Sequence, residues 1–292
     1  MCGRYDLHNL PGVVALMMGL PYPQDILPRY NIAPTQDIPV VRMGTNGERE
    51  MVAVRWGFVP RWARDPAIGL KMINARGETI ATNKAFGIAF KRHRCLIPAD
   101  GFYEWKKLAG GRKQPMRATM KDGTTFAFGG VAERWLSPEG EILDSCAIIT
   151  IDANELLEPI HERMPVIIAP EAYERWLDGT AELPLDLLAP YPADAMRVYP
   201  VSTRVNATRN DDATLIEVVD PSMAESTHTQ RPHNSDRQRR AADAVEDTAS
   251  ASATGNAINP PPVEPAKKAT GDATAEAADE ATEDTPKQDS LF

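Results

Sequence analysis

Cysteine is scarce in this chain, and what is missing elsewhere narrows the reading quickly. Only Cys2, Cys95 and Cys146 occur, too few and too widely spaced for a disulfide framework or a zinc-ligand pattern. No apolar run approaches the ~18 residues that a membrane-crossing helix needs. No secretory leader follows Met1, and no Walker loop, dinucleotide fingerprint or EF-hand loop is present. These absences argue against a disulfide-stapled secreted module, a helical membrane protein and the common nucleotide-binding enzymes. They lead us to expect a reduced, cytoplasmic protein with no metal and no cofactor.

Aromatic residues are missing from one end. All five Trp (56, 62, 105, 135, 176) and all seven Tyr lie before residue 200, and beyond Pro221 the sole aromatic residue is Phe292. Residues 221–292 are rich in Ala, Thr, Ser, Asp, Glu and Pro, with a Pro260-Pro261-Pro262 run. Such a stretch cannot bury enough apolar surface to offset its conformational entropy. We therefore expect one folded domain over 1–220 and a disordered acidic tail over 221–292.

The formal net charge of −9 is unevenly distributed. Residues 221–292 carry 7 Lys/Arg against 13 Asp/Glu, so the tail supplies most of the acidity. Residues 51–125 hold 15 basic and 5 acidic residues. A segment that basic in an acidic protein fits an anionic partner such as a phosphate backbone. A solvated surface that balances acidic residues elsewhere in the fold would read the same way.

Short apolar runs bounded by Gly, Pro and Asp turn signals predict strands over Ile38–Arg42, Glu50–Trp56, Arg94–Ile97, Gly101–Trp105, Met116–Met120, Phe126–Val131, Ser145–Thr150 and Pro165–Ile168. Helices are predicted over Pro11–Met18, over Thr79–Asn83 running towards Phe90, and over Pro170–Leu177, with Pro170 and Glu171 suited to a first turn. Strands that do not alternate with helices predict an α+β domain with a mainly antiparallel sheet system and peripheral helices. Cys95 and Cys146 fall in the apolar strand-like runs, as buried, inert thiols do.

Four segments place polar groups where apolar ones would be expected. Arg55-Trp56-Gly57-Phe58-Val59-Pro60-Arg61-Trp62 sets two indoles among cations, which suits base stacking or, equally, two core indoles with surface arginines. In Asn74-Ala75-Arg76-Gly77-Glu78, an amide, a guanidinium and a carboxylate alternate and would share one face of an extended chain. Glu104 lies among aromatics in Gly101-Phe102-Tyr103-Glu104-Trp105, where desolvation would raise its pKa as a general acid requires. His161 sits in a Pro-bounded turn between apolar segments.

The remaining signal is Cys2. Removal of Met1 ahead of a small residue would leave an amine and a thiol on adjacent carbons. The α-amine, with an ordinary pKa of roughly 7.7–8.0, condenses with an aldehyde, and the sulfur can then close a five-membered thiazolidine.

Together these segments resemble one family. Met1-Cys2-Gly3-Arg4-Tyr5, Tyr30-Asn31-Ile32-Ala33-Pro34-Thr35, Arg55-Trp56-Gly57-Phe58-Val59-Pro60, Ile73-Asn74-Ala75-Arg76-Gly77-Glu78-Thr79, Arg94-Cys95-Leu96-Ile97-Pro98-Ala99, Gly101-Phe102-Tyr103-Glu104-Trp105 and His161-Glu162-Arg163-Met164-Pro165 are similar to the signature blocks of the SOS response-associated peptidase family, whose members are also called abasic site processing proteins. The resemblance covers about residues 1–220. It implies a single barrel-like domain that recognises abasic sites in single-stranded DNA and traps the C1′ aldehyde on Cys2 as a thiazolidine crosslink. It implies catalytic roles for Cys2, Asn74, Glu104 and His161, and DNA contacts by Arg4, Asn31, Pro34, Trp62 and Arg76. Weak lyase activity and removal of its own Met1 are further implications, for a monomer in the cytoplasm at the nucleoid. The main rival reading is a thiol autopeptidase using Cys2 with His161 and Glu104, whose DNA binding is incidental; a second is a non-enzymatic single-strand binding module that shields lesions.

The chain ends Gln288-Asp289-Ser290-Leu291-Phe292, which resembles the peptide that docks on bacterial sliding clamps. Leu291 and Phe292 would fill an apolar pocket and Gln288 would bond at its edge, presented on a tether. Deleting residues 288–292 should abolish co-migration with the clamp and leave any reaction with DNA intact; clamp binding that survives the deletion refutes this expectation.

Overall fold

The computed structural model describes residues 2–21, 25–180 and 182–220, so the Gln288, Leu291 and Phe292 peptide lies outside the described residues. The chain order begins β1 (Tyr5–Leu7), α1 (Pro11–Met18), β2 (Arg29–Ile32), β3 (Asp37–Met43), β4 (Arg49–Trp56) and β5 (Asn74–Arg76). It continues through α2 (Gly87–Arg92), β6 (Arg94–Ala99), β7 (Gly101–Lys107), β8 (Lys113–Met120), β9 (Phe126–Leu136) and β10 (Ile142–Asp152). It finishes with β11 (Arg163–Pro165), β12 (Ile167–Ile168), α3 (Tyr173–Leu177) and β13 (Met196–Pro200).

The strands form two sheets. One runs β13-β8-β7-β1-β2 and the other β11-β10-β4-β3-β6-β9-β12. Because β9 also pairs with β10, strands β10, β4, β3, β6 and β9 close on themselves as a five-stranded barrel. The pairings are antiparallel except where β10 runs parallel to β4 and to β5. The architecture is the expected one: α+β, a mainly antiparallel barrel, few helices. So few strands enclose a space that side chains fill. Every residue of β6 is buried, and Cys95 and Cys146 are part of that interior. At Gly130 in β9, a Cβ would stand 2.8 Å from Ile97 Cδ1, 3.0 Å from Cys95 Sγ and 3.1 Å from the Ala147 carbonyl oxygen, so a side chain there would press on both β6 and β10.

Aromatic rings join the barrel to the second sheet. Tyr5 of β1 meets Trp56 of β4 edge-on at 5.6 Å and Phe128 of β9 at 5.7 Å, and Phe102 of β7 meets Phe128 at 5.9 Å. Beside them, Asp6 and Arg117 form a buried bidentate pair, Nε to Oδ2 at 2.9 Å and Nη2 to Oδ1 at 2.7 Å. Asp100, at the corner between β6 and β7, accepts the main-chain N–H of Asn9 at 2.7 Å and the Asn9 amide at 2.9 Å.

Two predicted elements differ. The strand expected over 165–168 breaks at Val166, whose N–H bonds Ile149 while its carbonyl takes the Gly129 N–H, so β11 serves β10 and β12 serves β9. The helix expected from Thr79 towards Phe90 is a 3-10 turn (Gly77–Thr79) followed by α2. The Asn83 side chain accepts the Ala85 N–H at 2.8 Å, and this local bond competes with helix continuation.

Burial alone would raise the Asp6 pKa, but Arg117 outweighs it and holds the carboxyl below its ordinary 3.8. A depressed folded-state pKa contributes stability that is complete above the unfolded value and lost as pH falls through the folded one. Arg117→Ala should cost about 3–5 kcal/mol by urea unfolding, and the difference from wild type should narrow as pH drops below about 4. A cost under about 1 kcal/mol would show the pair to be dispensable.

Candidate active site

The N-terminus is led into the molecule by β1. Tyr5 pairs with Phe102, and the Tyr103 N–H donates to the Arg4 carbonyl at 2.9 Å. Continued past Arg4, the same antiparallel register sets Gly3 opposite Glu104 and Cys2 one residue further on, where the Glu104 charge acts on its thiol. On the other side, β5 runs next to β10 with Asn74 opposite Ile148. The Asn74 Nδ2 donates to the Cys2 carbonyl at 2.9 Å, while its Oδ1 is buried with no hydrogen-bond partner. Asn74 is itself held in place by Trp56, whose indole N–H bonds the Ile73 carbonyl at 2.9 Å.

Cys2 is fully buried in this chain, which still carries Met1. Burial first, and then the Glu104 charge, push its thiol well up from the ordinary range. Glu104 is 4% exposed, and burial raises its carboxyl pKa, with His161 near enough to interact with it electrostatically. His161 is half-buried, with its Nδ1 2.9 Å from the Arg163 N–H. The structure thus brings Cys2, Asn74, Glu104 and His161 into one neighbourhood through a hydrogen bond and two electrostatic contacts. The grouping provides a thiol-bearing residue held by its backbone, a carboxyl whose pKa is raised by burial, and an imidazole.

The residues expected to touch DNA divide. Trp62 is 62% exposed and Arg76 is exposed on β5, whereas Trp56 is wholly buried. Pro34 is half-buried beside Thr35, a β-branched residue at φ 73°. Its loop is tied to the end of β4 by the Thr35 N–H on the Trp56 carbonyl at 2.8 Å. Trp62 follows β4 through Gly57, where a Cβ would stand 2.8 Å from the Gly69 carbonyl oxygen. Both loops therefore leave the barrel near Trp56, whose indole reaches Ile73, the residue before Asn74.

Asn31 is 1% exposed, and its amide donates to the carbonyls of Val205, Ala207 and Asn210 at 3.2, 3.1 and 2.6 Å. Its Oδ1 accepts from Arg4 Nη1 at 2.8 Å, and that nitrogen also reaches the Val205 carbonyl at 2.8 Å. Arg4 is thereby aimed from beneath. Glu78 leaves the face expected of it, because the turn beginning at Gly77 swings it onto Arg163. Sequence reasoning missed Trp56 and Arg163 as supports; both lie inside the quoted blocks, which mark positions without assigning them work.

Asp6, His8 and Asp100 also bring potential metal-ligand atoms within 4.8 Å of one another. Both Asp6 oxygens are engaged by Arg117, and both Asp100 oxygens accept hydrogen bonds from Asn9, so this donor set is occupied by the protein itself.

A closed barrel joined to a sheet that delivers a cysteine terminus onto a buried carboxyl defines a recognisable class of protein. The chain belongs to the SOS response associated peptidase (SRAP) family, whose model matches residues 1–208. It is 42% identical over 224 residues to the abasic site processing protein YoqW of Bacillus subtilis, covering 74% of this chain and 99% of that protein. It is 34% identical over 218 residues to the abasic site processing protein HMCES of Gallus gallus, covering 63% of this chain and 64% of that protein. A crystal structure of a protein from Bacteroides thetaiotaomicron superposes with a TM-score of 0.68 at 26% identity, over 75% of this chain and all of that one.

With Cys2, Cys95 and Cys146 all buried, native protein retaining Met1 should give less than one fast-reacting thiol per chain with a water-soluble disulfide reagent, and three after unfolding. Protein lacking Met1 should gain one fast thiol, and Cys2→Ser should lose it. A fast Cys2 in the Met1-bearing protein contradicts this geometry.

Proposed function

We propose that this protein processes abasic sites in single-stranded DNA by covalent capture on Cys2 after Met1 has been removed. The observation that supports it best is the Asn74 bond to the Cys2 carbonyl beside buried Glu104, because it holds the residue without using its amine or its sulfur. An abasic deoxyribose opens to a C1′ aldehyde. The Cys2 amine attacks that carbon, water leaves, and an imine forms. The sulfur then adds to the imine carbon while the thiol proton passes to nitrogen, which closes a thiazolidine without oxidation or reduction.

Glu104, with its raised pKa, is the group we assign to the proton transfers of ring opening, dehydration and crosslink reversal. Asn74 orients the terminus, and its buried Oδ1 offers an acceptor to a sugar hydroxyl or to the Cys2 amine. His161 contacts the opened sugar and supports those transfers. Arg4 and Arg76 meet flanking phosphates, with Trp62 and Pro34 against neighbouring bases. A baseless nucleotide in unpaired DNA needs no flipping, which accounts for a single-strand preference.

A second reading has one observation behind it. While Met1 is attached the Cys2 nitrogen is an amide and cannot condense with an aldehyde, so hydrolysis ahead of Cys2, by this protein or another, has to come first; the peptidase in the family's name fits a self-directed step. Weak lyase activity from the imine, a location at the nucleoid and clamp docking through residues 288–292 belong to the same proposal.

Single-stranded DNA with one abasic site should give a heat-stable shifted band on a denaturing gel. Cys2→Ala should remove it, and Cys2→Ser should leave only a labile imine. Glu104→Gln should slow its formation by about 10²-fold or more. In wild type the Glu104-dependent rate should decline with rising pH only above the ordinary carboxylate value of 4.5, a limb that Glu104→Gln lacks. A stable crosslink from Cys2→Ala would sink the proposal.

A further inference from the structure

His161 is fixed more tightly than a turn residue needs to be. Its own N–H donates to the Leu157 carbonyl at 3.0 Å. Its ring Nδ1 lies 2.9 Å from the main-chain N–H of Arg163. A backbone N–H can only donate, so Nδ1 has to receive it with a lone pair. In a neutral imidazole the ring proton then resides on Nε2. Placing a proton on Nδ1 would set two N–H groups against each other.

Arg163 is in turn clamped. Nη1 reaches Glu78 Oε1 at 2.5 Å and Asp152 Oδ1 at 2.6 Å, and Nη2 reaches Glu78 Oε2 at 2.9 Å and the Thr150 carbonyl at 2.6 Å. The side chain is 13% exposed, and its fork joins β10, β11 and the turn after β5. An isolated exposed ion pair would contribute little. A bidentate, networked one fixes geometry as well as charge.

We propose that His161 serves the reaction as a neutral hydrogen-bond donor through Nε2–H, with Arg163, Glu78 and Asp152 as positioning residues that lock this tautomer. The inference rests on the crosslinking reading above and refines it. A ring with Nδ1 occupied and Nε2 protonated has no lone pair with which to act as a base. It cannot act as a cationic acid without breaking the Arg163 contact. Its natural target is an oxygen of the opened sugar, the aldehyde or a hydroxyl, and the moving protons fall to Glu104.

The test uses full-length protein lacking Met1. Nitrogen-15 NMR of His161 at neutral pH should show Nδ1 without a proton and Nε2 with one. His161→Gln places an amide N–H donor at the Nε2 position but cannot transfer protons, so it should crosslink several-fold faster than His161→Ala. Arg163→Lys loses the fork; its His161 nitrogens should report mixed tautomers, and crosslinking should slow on the order of 10-fold. An Nδ1–H tautomer or an imidazolium in the wild type overturns the inference. So does His161→Gln as slow as His161→Ala. Failure of the underlying reading looks different: wild type would not crosslink, or Cys2→Ala still would.

Discussion

A chain terminus frays unless something ties it down, and the ties here are Asp6 on Arg117 and Tyr5 between Trp56 and Phe128. Both act within four residues of Cys2. The ion pair alone would be a weak reason for stability, since desolvating two charges offsets much of their attraction. Its geometry is the point, because a bidentate fork defines where β1 lies against β7 and β8. The rings then define how deep β1 sits. A site built on residue 2 depends on both.

The barrel supplies the opposite wall. Its closure through β9 and β10 leaves β10 free to take β5 in parallel, and this sets Asn74 against the incoming terminus. Trp56, at the end of the one strand pair that runs parallel within the barrel, steadies the residue before Asn74. Glu104 comes from the second sheet, and His161 from the turn ahead of β11. The site is therefore a seam between two sheets, and no single element carries it. Water is largely excluded from such a seam, and burial accordingly moves the Glu104 and Cys2 pKa values in the same direction.

Much of this was legible in the sequence, and the misses share a cause. Strands with clear apolar runs, such as β3, β4, β6 and β9, lie where the pattern puts them, and Pro11–Met18 is the predicted helix. The short strands β1, β2 and β13 escaped notice. Tyr5-Asp6-Leu7 hides an inward aspartate whose partner is 111 residues away, and periodicity is blind to such a pair. Barrel closure is a long-range pairing of the same kind. The bonds from the Asn31 amide to residues 205–210 are equally invisible to local pattern. The Trp56-to-Trp62 segment left two readings open, and each holds for one indole: the first is core and the second is surface.

The Asn74 bond to a backbone carbonyl, in place of a side chain, has a practical consequence. A main-chain oxygen is present whatever side chain residue 2 carries, so this bond fixes the backbone there, and Cys2 itself is completely enclosed. Affinity tags, signal sequences or fluorescent fusions joined ahead of Cys2 would have to displace the seam or thread out of it. Recombinant forms of this protein are best handled from the other end of the chain.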